Sequence, residues 1–143
     1  MRVLYSFAVL ALLALPAHAT REGLWSNKYE FKPGVTLEVG TETAGALHLE
    51  TVRFEIPQNA GTRTARESMV EVTISNYSDL AQRVGLAVAL FDDSGRLVGV
   101  ADGGTALLPL RAGHVQPYRL VFKNVNGATP SASTFQISVE AKP

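Results

Sequence analysis

The chain has 143 residues, no cysteine, and 13 basic against 13 acidic side chains. Without cysteine there is no disulfide, iron–sulfur cluster, thiolate zinc site or cysteine nucleophile. A net charge near zero supplies no broad field for nucleic acid or an anionic membrane, so nucleic-acid binding is not expected.

The N-terminus has one basic residue, Arg2, then an apolar run over residues 3–15, then Pro16 and Ala17-His18-Ala19. This is the layout of a secretory signal peptide. The run is shorter than the ~20 residues a membrane-spanning helix needs. Cleavage is expected after Ala19, which leaves residues 20–143 as a single exported domain, periplasmic or extracellular, with no remaining membrane span. Losing Arg2 leaves acidic residues in slight excess.

From there the apolar residues recur at period two, the signature of half-buried strands, and no segment shows a helical period. Residues 20–32, with Trp25, Tyr29 and Phe31, read either as a leading strand or as a loose arm that docks its aromatics. Val35, Leu37 and Val39 suggest a strand entered through Pro33-Gly34. Residues 46–56 alternate through Leu47 and Leu49, then through Val52, Phe54 and Ile56. The change of parity predicts a bulge near Glu50 or Thr51. Val70, Val72 and Ile74 alternate cleanly with Glu71, Thr73 and Ser75. Residues 84–91 are apolar on both parities, one of them mostly small, which predicts a central strand with its second face partly covered.

Residues 97–101 read as a short strand, and Tyr118, Leu120 and Phe122 mark another. Phe135, Ile137, Val139 and Ala141 mark the last. Turn signals fall at residues 40–45, 59–61, 76–79, 92–95, 102–104, 112–113 and 124–133. Seven or eight short strands at this spacing predict an all-β, antiparallel immunoglobulin-like or fibronectin-like sandwich.

Val88-Ala89-Leu90-Phe91-Asp92, followed by Gly95, resembles the Phe-x-Leu-Tyr-Asp motif of the FxLYD domains. Val70 to Asn76 resembles that family's strand ending in Asn. Leu110-Arg111-Ala112-Gly113 and Pro117-Tyr118 resemble its Leu-x-Pro-Gly turn and following Pro-Phe. Val88, Phe91 and Ala112 depart from the pattern, and the likeness covers about residues 68–140. It implies an Ig-like fold in an exported bacterial protein and carries over no catalytic residue.

Asp92-Asp93-Ser94-Gly95 invites a calcium reading. An EF-hand loop requires Gly at its sixth position and Glu at its twelfth. Here Gly95 is fourth and Gly103 twelfth, so that reading fails. A looser site could recruit Asp102 beside Asp92 and Asp93. The competing reading is a hairpin corner in which Asp92 caps backbone amides and Gly95 supplies a positive φ. His48 and His114 have no Gly-x-Ser-x-Gly nucleophile elbow to serve, and Met69 completes a poor set of metal donors. No catalytic residue, no cofactor and no enzyme activity are expected. Arg63 and Arg66 form a basic loop able to hold an acidic partner, and Asn76-Tyr77-Ser78 is a formal glycosylation sequon.

Two functional readings follow. In the first, the chain is an exported interaction module that binds a protein or envelope component by strand addition at an open sheet edge. The suspected edge is residues 97–101, through Leu97, Val98 and Val100, with Gly99 leaving room for an approaching chain. Trp25, Arg63 and Arg66 are further contact candidates. The alternative is a small periplasmic ligand carrier or enzyme with a loop-end pocket where Asp92, Asp102 and His114 converge.

Overall fold

A computed structural model describes residues 23–57, 67–123 and 129–142. Eight strands appear in chain order: β1 Leu24–Glu30, β2 Thr36–Glu42, β3 Leu47–Glu55, β4 Met69–Asn76, β5 Arg83–Phe91, β6 Leu97–Gly104, β7 Val115–Val121 and β8 Thr134–Lys142. They form two antiparallel four-stranded sheets, ordered β1-β8-β5-β6 and β2-β3-β4-β7, packed as a sandwich. The central strands are β8 and β5 in one sheet and β3 and β4 in the other. The chain crosses between sheets from β1 to β2, β4 to β5, β6 to β7 and β7 to β8, and the pairing of β4 with β7 and of β5 with β8 makes this an immunoglobulin-like Greek key. β1 pairs with the outer side of β8, where that fold places its last strand.

Alternation explains the layering. Val70, Val72 and Ile74 of β4, Val84, Leu86, Val88 and Leu90 of β5, and Phe135, Ile137 and Val139 of β8 all turn into one buried core. Phe54 anchors one end of it, 4.8 Å from Phe31, 4.8 Å from Phe135 and 6.3 Å from Phe122 between ring centres. Edge-to-face and offset contacts of this kind add to the burial of the rings. The predicted bulge in β3 is present, as a register shift against β4 between Leu49 and Thr51.

Several boundaries differ from the sequence expectation. Of the two readings of residues 20–32, the leading strand holds for Leu24–Glu30, where Trp25 and Tyr29 share one parity with Phe31 and all three pack against the core. β2 runs through Gly40, where a turn was expected. Gly40 takes a φ of 58° at a bulge between Glu38 and Thr41, and the reversal comes later, at Gly45 and Ala46, both at a φ of 60°. Val35 lies outside β2 and is exposed.

Residues 102–104 are not a turn either, since β6 continues through them, paired with Gly85, Leu86 and Ala87. The glycines there permit close approach. A Cβ on Gly103 would stand 2.5 Å from Leu120 Cδ2, and one on Gly104, at φ 141°, 1.9 Å from the Val84 carbonyl oxygen. Gly99 likewise opens no room for an outside chain: its missing side chain faces Leu90, Phe122 and Thr129 in the interior. Within the expected loop 124–133, residues Thr129–Ser131 form a 3-10 turn. The signal segment, the turn at 59–61, and Arg63 and Arg66 lie outside the described residues.

Candidate functional site: the open edge of β6

The sandwich has four outer strands, β1, β2, β6 and β7. An outer strand offers unpaired N–H and C=O groups, and folded proteins blunt such edges with charges, prolines or bulges. β1 carries Lys28 and Glu30, with Glu30 paired to Lys32 at 3.0 Å. β2 is broken by its bulge and carries Glu38 and Glu42. β7 has Pro117 at its centre. β6 bulges only at its start, where Val98 is the extra residue between the Leu90–Gly99 and Phe91–Leu97 pairs. From Gly99 to Gly104 its register is unbroken, and Asp102 is its one charged residue.

The direction of the free groups follows from the ladder. Thr105 N–H donates to Val84 O at 2.9 Å. The register is constant from there to the Leu90–Gly99 pair. Alternation then turns the backbone groups of Gly103, Ala101 and Gly99 toward β5, and those of Val100 and Asp102 outward. Val100 is 45% exposed, Leu97 57%. Their nearest cross-strand partners, Ala89 and Phe91, extend the apolar surface onto the outer face of the sheet. Val98 is half-buried and packs against the core, as does Trp25.

The corner that feeds this edge is self-contained. Asp92 Oδ1 accepts from Ser94 N–H at 2.9 Å and Arg96 N–H at 3.0 Å, while Oδ2 takes the Arg96 guanidinium. The Arg96 backbone N–H, more than any other neighbour, holds this carboxyl below its ordinary pKa. Gly95 sits at φ 76° and donates to Asp92 O. Asp92 thus spends its lone pairs on the turn, as a hairpin corner requires.

The residues of the pocket reading do not converge. Asp93 is exposed beside Asp92, while Asp102 pairs with Ala87, on the order of 15 Å along β5 from that corner. His114 is exposed in the loop before β7, at the end of the sandwich opposite Asp92. His48 stacks edge-on against Tyr77, ring centres 4.5 Å apart. Met69 is half-buried at the start of β4. Among the described residues no three His, Cys, Asp or Glu side chains lie close enough to share a metal ion.

Asn76, the sequon residue, is fully buried and donates to the Leu80 and Leu110 carbonyls at 2.8 and 2.9 Å. It tethers two loops and offers no accessible amide for a glycan. Sequence reading gave no role to residues 105–109, where Leu107 and Leu108 are the most exposed large apolar side chains among the described residues. Their signal was an apolar run, Ala106-Leu107-Leu108, that fits no strand alternation. No model of a known protein family matches this chain, and no curated protein sequence matches it.

Proposed function

We propose that this chain is an exported, envelope-associated interaction module that captures a partner protein by strand addition along β6. The observation that carries this is the combination of an edge unbroken from Gly99 to Gly104, outward backbone groups at Val100 and Asp102, and apolar neighbours at Leu97 and Val100. Main-chain hydrogen bonds would supply affinity and the apolar side chains selectivity. The likeness to FxLYD domains is in keeping with this reading, as is the signal-like N-terminus. The role requires no catalytic group and no cofactor.

The test is capture from envelope extract with wild type, V100P and V100K. Proline at position 100 removes an outward donor, and lysine blocks the apolar approach. A protein retained by wild type and lost with both variants is the expected result. An identical retained set for all three, or none for wild type, overturns the proposal.

A further inference from the structure

Position along β6 decides what an added strand would meet on the outer face of the sheet. Near the Asp92 corner the apolar groups gather, Val100 beside Ala89 and Leu97 beside Phe91. One row further from the corner, Asp102 stands in line with Ala87, Ser138 and Ser26, none of which carries charge. The other two carboxylates of this face, Glu30 and Glu140, have Lys32 and Lys142 at 3.0 Å. Asp102 is exposed and, among the described residues, has no ion pair.

The surface next to Asp102 is clear enough for a long side chain. Gly104, the next outer-face position of β6, has no side chain. Beyond it Gly85 and Ala87 floor a shallow groove of about 220 Å³ bounded by Ser138 and Glu140. The Glu140 carboxylate leans over Gly85, where its Oε2 would stand 3.2 Å from an added Cβ. With Asp102 opposite Ala87, the groove has one carboxylate on its β6 side and another on its β8 side.

A second copy of the chain does not answer this chemistry. Three registers join the outward groups of Val100 and Asp102 on two antiparallel β6 strands. Centred on Ala101, Asp102 faces Val100 of the copy; centred on Val100, it faces Val98; centred on Asp102, it faces another aspartate. The first two leave the carboxylate uncompensated. The third sets like charges directly opposite, which is destabilising. A charge on an open edge also guards against self-association.

We infer that the strand captured by β6 runs antiparallel to it and carries a lysine or arginine opposite Asp102 and an apolar residue opposite Val100. Every pairing in both sheets is antiparallel, the slightly more stable mode. The captured segment therefore reads basic-x-apolar, with a further apolar residue two positions on to meet Leu97. This rests on the β6 reading and gives its partner a chemistry: the apolar residues hold, and the cation selects.

The probe is a phage-displayed library of random dodecapeptides. It is selected in parallel on the exported chain, on D102K, and on V100P once urea unfolding shows that variant folded. Wild type should enrich Lys or Arg two positions before Val, Ile, Leu or an aromatic residue. D102K, altered only at an exposed side chain, should enrich Asp or Glu at that place. It should bind a wild-type-selected peptide about fivefold more weakly by fluorescence anisotropy. V100P should retain none of these peptides. Peptides lost with V100P but showing no basic preference, or bound as tightly by D102K as by wild type, overturn this inference and leave strand addition standing. Peptides that V100P holds as well as wild type, or no enrichment on wild type, overturn both.

Discussion

Placing proline at two adjacent positions of β6 separates its two rows of backbone groups. At Ala101 the N–H faces β5 opposite Val88, and the side chain is 1% exposed in the core. A101P removes a ladder bond, forces a ring into packed surroundings and costs about 3 kcal/mol or more. At Val100 the N–H faces away from β5 and the side chain is partly in solvent. V100P loses no ladder bond and only adjusts one φ, at a cost of about 1 kcal/mol. Against a total stability of about 5–15 kcal/mol, the first change is severe and the second mild. Urea unfolding of both variants at 25 °C measures the difference directly. If V100P costs as much as A101P, the outward assignment of the Val100 amide is wrong. The capture experiment with V100P then loses its meaning, because the variant would damage the sheet it is meant to leave intact.

Three further outcomes are expected. The lowered pKa of Asp92 makes its contribution to stability complete at neutral pH. That contribution is lost as pH falls below about 4 through the folded-state value, so D92N should flatten this part of a pH–stability curve. G104A forces a left-handed φ on alanine and drives a Cβ into the Val84 carbonyl. It should cost about 3 kcal/mol in urea unfolding, and a loss under about 1 kcal/mol would refute the close approach of β5 and β6. Tyr118 is buried, its hydroxyl lacks a partner among the described residues, and burial raises its pKa. Y118F should therefore be neutral or stabilising by up to about 1 kcal/mol in thermal unfolding, whereas a marked loss would show that the hydroxyl is bonded.

The strand interiors were legible because alternation is a direct consequence of one wet and one dry face. The parity change between Leu49 and Val52 located a bulge for the same reason. Glycines misled: Gly40, Gly103 and Gly104 look like turn residues in sequence. In the fold they serve a bulge and a close contact between elements distant in the chain, such as Leu120 against Gly103. Nothing local distinguishes these uses. Position 99 failed similarly, since the inward direction of β6 side chains depends on register with β5. The edge status of β6 was expected, but the asymmetry among four edges emerges only once Pro117, the Gly40 bulge and the β1 charges are placed around the same sandwich.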